Sequence, residues 1–81
     1  MSAVTVHLFA SYAESFGANN LKIELHPGDT VADLVAELRA LPGAFALSSA
    51  PRVAVNQKFA SLDQPLCPSD EIAVIPPVAG G

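Results

Sequence analysis

Cysteine, positive charge and long hydrophobic runs are all scarce in this chain, and each shortage removes a class of protein. The single Cys67 cannot form an intramolecular disulfide, and no cysteine pair or Cys/His cluster offers a metal site. Nothing therefore points to an oxidising compartment. The four basic residues, Lys22, Arg39, Arg52 and Lys58, are spread along a chain of net charge −4 and leave no basic cluster to neutralise phosphates. Nucleic-acid binding is not expected. An acidic chain is suited instead to a partner with a positive patch, because complementary potentials speed and orient encounter. No segment approaches the roughly 18 apolar residues of a transmembrane helix, and the chain enters a strand-like run without a basic n-region or a long apolar h-region. A cytoplasmic location without membrane contact is the expectation.

What is present is enough for a core. The chain has 81 residues, of which 51% are apolar and 15% charged, with no low-complexity stretch, repeat or linker. One domain is expected, and its core must be efficient at this size. Residues 3–10 alternate, with Val4, Val6 and Leu8 on one face and Thr5, His7 and Phe9 on the other, which predicts a strand. Residues 11–16 can form one helical turn, and the turn-rich 17–20 precedes a second alternating run from Leu21 to Leu25. These two runs read as antiparallel neighbours joined by a wide loop.

Thr30 is placed to cap a helix starting at Val31, with Asp33 as a short relative of the Glu or Gln of a capping box. Val31, Leu34, Val35, Leu38 and Leu41 form one apolar stripe, and Pro42-Gly43 ends the segment. Residues 43–50 have no clean period and predict a short irregular helix or loop that holds Phe45 and Leu47 inward. Residues 52–56 predict a third strand with Val53 and Val55 on one face. Asn56-Gln57 is then a tight turn into a short strand near residues 58–60. Leu62 and Leu66 are expected to fill the core, and residues 71–75 form the last strand with Ile72 and Val74 inward. Pro76-Pro77 forbids further pairing, since neither has an N–H to give. Two strands, one amphipathic helix and further strands predict an α+β fold of β-grasp type, one mixed sheet packed on one main helix. Residues 1–76 are the expected domain and 77–81 a flexible tail.

Catalytic constellations are missing. His7 lies on a strand and His26 in a turn, neither near a telling Cys or Asp, so both read as structural or solvent-facing. Cys67, between Leu66 and Pro68, reads as a small buried or half-buried thiol, with no cation or helix N-terminus to lower its pKa. Asp70 and Glu71 read as a solvated corner. The ending Pro76-Pro77-Val78-Ala79-Gly80-Gly81 differs in kind. It is what a frayed terminus looks like, but residues without a Cβ can also pass through a narrow channel and place a carboxylate against a reacting atom. A carboxylate is a poor electrophile until adenylated. Once activated with ATP it can accept sulfur, giving a thiocarboxylate, or an amine, giving an amide. Phe9, Phe59 and Ile75 fall on the sheet side away from the helix, where apolar residues suggest a binding face. A shifted register would instead turn Phe59 inward, and residues 11–20 could cover Phe9.

The order and spacing of Val53-Ala54-Val55-Asn56-Gln57, Leu62-Asp63-Gln64-Pro65-Leu66, Asp70-Glu71-Ile72-Ala73 and Pro76-Pro77-Val78-Ala79-Gly80-Gly81 resemble the molybdopterin synthase small subunits, a family of ubiquitin-like sulfur carriers. Val6-His7-Leu8-Phe9-Ala10 and the helix beginning Thr30-Val31 are also similar to that family, whereas residues 11–20 and 43–51 carry little of it. The resemblance implies a ubiquitin-like β-grasp and a chain that is not catalytic alone and binds no cofactor or metal. It implies three partners: the large subunit of molybdopterin synthase, an adenylating enzyme of the ubiquitin-activating type that uses the ATP, and a sulfur donor. Gly81 would bear the sulfur, Gly80, Ala79 and Val78 would thread into the large subunit, and Phe9, Phe59, Ile75, Pro76 and Pro77 would contact partners. The sulfur would pass to cyclic pyranopterin monophosphate in molybdenum cofactor biosynthesis. Ile75 stands where the family often has an aromatic, and Ala79 where it often has Thr. A sulfur carrier for thiamine or another product, a ubiquitin-like modifier forming isopeptide bonds, and an interaction module with an idle tail remain the competing readings.

Overall fold

The computed structural model of the chain describes residues 2–48 and 51–76. The first alternating run forms β1 (Ser2–Leu8), two residues shorter at its end than expected, because Phe9 and Ala10 turn into a helix. The second forms β2 (Asn20–Leu25), antiparallel to β1 with Val4 opposite Ile23 and Val6 opposite Leu21. Alternation then puts Val4, Val6, Leu8, Ile23 and Leu25 on one buried face. Between the strands lies α1 (Ala10–Phe16), longer than the single turn expected, which stops at Gly17 in the left-handed region. It buries Tyr12, whose hydroxyl accepts the Ser48 N–H at 3.3 Å.

The main helix, α2 (Val31–Arg39), starts where Thr30 predicts. The Thr30 N–H and hydroxyl both donate to Asp33 Oδ2, at 2.9 and 3.1 Å, and a cap of this kind contributes about 1 kcal/mol. The next two N–H groups have no partner within the helix. Val31 and Ala32 donate them to the carbonyls of Gln64 and Leu62, at 3.0 and 2.9 Å. Val31, Leu34, Val35 and Leu38 are buried as the stripe requires, although the helix ends two residues before Leu41.

Strands β3 (Arg52–Val55), β4 (Lys58–Phe59) and β5 (Glu71–Ile75) complete a five-stranded sheet in the order β2-β1-β5-β3-β4. β5 runs parallel to β1 and antiparallel to β3. Asn56 and Gln57 both have positive φ, 52° and 72°, the two-residue turn whose twist matches a hairpin. One mixed sheet with α2 on one face is the expected ubiquitin-like β-grasp. Among the described residues, no helix is long and apolar enough to cross a membrane.

Three side chains depart from the sequence reading. Residues 44–46 form a 3-10 turn, in which positions three apart share a side. Ala44 and Leu47 therefore face the core, and Phe45 is 86% exposed rather than inward. Leu62 turns its carbonyl to the start of α2, and its side chain is 58% exposed while Leu66 is buried. Cys67 is exposed rather than buried, because its backbone opens a surface turn closed by the Asp70 N–H.

Gly43 and Gly28 both have positive φ, 95° and 86°, but a Cβ on Gly43 would collide with the Ser15 carbonyl and the Phe16 Cα of α1, whereas Gly28 faces open space. Gly28→Ala should lose about 1–2 kcal/mol in urea denaturation, the left-handed backbone term alone. Gly43→Ala should lose clearly more. Equal losses would show that α1 does not hold the 43–47 segment in place.

Candidate functional site

The sheet has an outer face, opposite α2, and the strand register assigns its residues. His7 on β1 is level with Ala73 on β5, Ala73 with Ala54 on β3, and Ala54 with Phe59 on β4. All four side chains share the outer side, since their neighbours Val6, Leu8, Ile72, Val74, Val53 and Val55 fill the core. The next level carries Ile75 opposite Arg52. Phe9 continues β1 in extended backbone, φ −130° and ψ 150°, which keeps the alternation and puts it on the same side.

Phe9 is 50% and Phe59 64% exposed, so neither the loop nor a shifted register covers them. They do not touch as one cluster. Three strand spacings, about 14 Å, separate β1 from β4, and the small Ala73 and Ala54 lie between. The face is thus a shallow trough with an aromatic at either side. Around Phe9, the side chains of His7, Ala73, Glu71 and Gln57 border a depression of about 200 Å³. At the far side the Arg52 guanidinium sits 5.1 Å from the centroid of the Phe59 ring. Such a cation–π contact contributes about 0.5–1 kcal/mol when exposed and holds the ring on the outer side. The sequence reading did not count Arg52 as part of this face. The signal was there, in the alternation of Arg52 and Ala54 against Val53 and Val55.

Ile75 and Pro76, both half-buried, are the root from which the tail leaves the sheet. Pro77, Val78, Ala79, Gly80 and Gly81 lie outside the described residues. The start of β5 is held by a polar clasp. Asn56 Nδ2 donates to Asp70 Oδ1 at 2.9 Å, its Oδ1 accepts the Glu71 N–H at 3.0 Å, and Asp70 Oδ2 accepts the Cys67 N–H at 2.8 Å. Asp70, expected as a solvated corner, is therefore a structural pin joining the β3–β4 turn to β5. His26 pairs with Asp29 across its own turn, with its Nδ1 3.5 Å from the carboxylate. Among the described residues no group of three or more His, Cys, Asp or Glu side chains could hold a metal ion. The outer face thus offers apolar and small side chains for contact.

Comparison with known proteins follows the same lines. A model of the ThiS family matches residues 6–81. A molybdopterin synthase sulfur carrier subunit from Dictyostelium discoideum is 35% identical over 78 residues, covering 91% of each chain. Among solved structures, the small archaeal modifier protein 1 of H. volcanii superposes with a TM-score of 0.84 at 25% identity, covering 96% of this chain and 100% of that one. A chain in the complex of subunits 1 and 2 of the molybdopterin-converting factor from Helicobacter pylori superposes with a TM-score of 0.70 at 26% identity, covering 98% and 99%.

The outer position of Phe59 has a thermodynamic signature. Phe59→Ser should change unfolding free energy by no more than about 1 kcal/mol, the loss of an exposed ring contact. Ile72→Ala, at a fully buried position, should lose about 2–5 kcal/mol. Losses of similar size in urea denaturation would place Phe59 in the core.

Proposed function

The chain belongs to the ThiS family, and on that premise we propose that it is the sulfur carrier subunit of molybdopterin synthase, with the Gly81 carboxylate as the carrying group. The observation that carries this reading is the likeness to the Dictyostelium sulfur carrier subunit along almost the whole of both chains. The subunit 1 and 2 complex from Helicobacter pylori supports a large-subunit partner. The outer face supports it physically: a trough of small residues between Phe9 and Phe59 can be desolvated by a partner at little conformational cost.

In this reading the chain is not catalytic alone and holds no cofactor. An adenylating enzyme binds the outer face and the tail. The Gly81 carboxylate oxygen attacks the α-phosphorus of ATP, releasing pyrophosphate and leaving an acyl-adenylate. A sulfur donor then supplies a sulfide equivalent to the acyl carbon, AMP leaves, and the product is a thiocarboxylate. The loaded chain moves to the large subunit, where Val78, Ala79 and Gly80 thread the active site and the sulfur passes to cyclic pyranopterin monophosphate, water taking its place on the acyl carbon and restoring the Gly81 carboxylate. Residues without bulk suit the passage, because a Cβ at Gly80 would widen the thread. Phe9, Phe59, Ile75, Pro76 and Pro77 form the contact that aims the tail. ATP-dependent activation and the scarcity of cysteine suit a cytoplasmic protein. Delivery of sulfur to a different product, such as thiamine, uses the same tail chemistry.

A second reading, a protein modifier that forms isopeptide bonds through Gly81, is favoured by the likeness to the small archaeal modifier protein. Intact mass separates the two. Incubation with ATP, the adenylating enzyme and a sulfur donor should raise the mass by about 16 Da, one oxygen exchanged for sulfur, and hydrolysis should reverse the change. Adducts on target lysines without that species would favour the modifier. Extension of Gly81 by one residue should abolish sulfur transfer while leaving the melting temperature unchanged. Maturation of molybdopterin by the unprocessed, extended protein would remove Gly81 from the mechanism. Phe59→Asp should weaken binding to the large subunit about tenfold or more, as removal of a central aromatic anchor does. Unchanged affinity by calorimetry would take the outer face out of the complex.

A further inference from the structure

A groove of about 570 Å³ lies between α2 and the β3–β4 edge. Val31, Val35 and Val53 line it from the core, and the exposed Leu62 and Phe59 stand at its rim. Its two ends differ. At one, Leu62 is tied to the start of α2 through the Ala32 N–H. At the other, the Arg39 guanidinium donates to the Ser48 carbonyl at 2.6 Å, close in sequence to Pro51 and Arg52 on the same wall. Arg52 is itself held over Phe59. Two of the four basic residues of a chain with net charge −4 therefore line one apolar groove, and Lys58 lies on the adjoining strand. Both guanidinium groups are already positioned by contacts of their own, so an incoming anion meets charges in place.

We propose that this groove docks an extended acidic segment of a partner protein, with an apolar side chain at the end formed by Ala32 and Leu62 and a carboxylate at Arg39 and Arg52. The spacing of that segment follows from α2. Ala32 to Arg39 spans about 10 Å of helix, which an extended chain covers in about three residues. Its apolar anchor and its carboxylate are thus separated by about that number, and an adjacent pair cannot serve both ends. The charge sets specificity, since a basic segment would be repelled by both arginines. This docking does not depend on the chemistry of Gly81. It adds a second contact surface that adjoins the outer face through Phe59 and can hold a partner while the tail is engaged elsewhere.

The test is an NMR titration of the isotope-labelled full chain with a short synthetic peptide carrying Leu three residues ahead of a Glu pair. Two controls have Lys in place of Glu, or the Glu pair directly after Leu. The first peptide should shift the amides of Val35, Arg39, Arg52, Val53 and Leu62 and weaken with added salt. Both controls should bind about tenfold more weakly, as should the first peptide to Arg39→Glu. Leu62→Ala should also weaken binding and, lying at the rim, should keep the fold if Arg39→Glu does not. Neither variant should alter the mass change at Gly81, so failure of the docking and failure of the carrier reading are separate results. Equal binding of all three peptides, or shifts confined to Phe9 and Ile75, would overturn the proposal. Removal of residues 77–81 that moves the same amides without peptide would give the groove to the chain's own tail. Concentration-dependent shifts would give it to a second copy.

Discussion

Every placement in this protein depends on the parallel pairing of β1 with β5 at the centre of the sheet. Val4 and Val6 on one strand and Ile72 and Val74 on the other have no exposed surface at all, and α2 closes over them with Val31, Leu34 and Leu38. A strand buried on this face cannot slip by one residue without sending all its apolar side chains to water. The same lock sets the other side. Once Ile72 and Val74 face α2, Ala73 and Ile75 must face outward, and Pro76 follows directly on the end of this central strand.

The polar interactions follow a related logic. The segment between β4 and β5 has little regular structure, but its carbonyls at Leu62 and Gln64 take the first N–H groups of α2, and Leu66 donates its own N–H to the Asp29 carbonyl. One irregular stretch thereby satisfies a helix start and holds it against the sheet. The Asn56–Asp70 clasp does the equivalent for β5. Asn56 can play this part because it adopts the left-handed conformation that the hairpin turn demands, which Asn tolerates better than most residues. Both places are thus held by hydrogen bonds from segments distant in sequence.

Two surfaces of opposite character result. The outer face is a shallow trough, with small residues in the middle and aromatics at its sides, and suits a broad contact. The groove beside α2 is larger, about 570 Å³, is lined by two arginines on an acidic molecule, and suits a narrow segment. Arg52 and Phe59 lie on the boundary, stacked on each other, so the two surfaces share one structural element.

Much of this was legible in the sequence, because period-two alternation in β1, β2, β3 and β5 and the apolar stripe of α2 are local patterns whose only consistent packing is one sheet against one helix. The Thr30 cap and the Asn56-Gln57 turn were legible for the same reason: their chemistry acts within a few residues. Phe9, Phe59 and Ile75 could be assigned to the outer face from alternation alone. Where no period exists, the tertiary structure decided. Phe45 and Leu62 are apolar residues in irregular segments, and hydrophobicity alone could not say that a 3-10 turn and a carbonyl facing α2 would turn them outward. Tyr12 is buried because α1 folds back over the sheet, a long-range event with no local mark. The groove and its two arginines exist only because residues from three distant stretches of chain are brought together. The Gly80-Gly81 ending is the converse case, a feature written wholly in the sequence and outside the described residues.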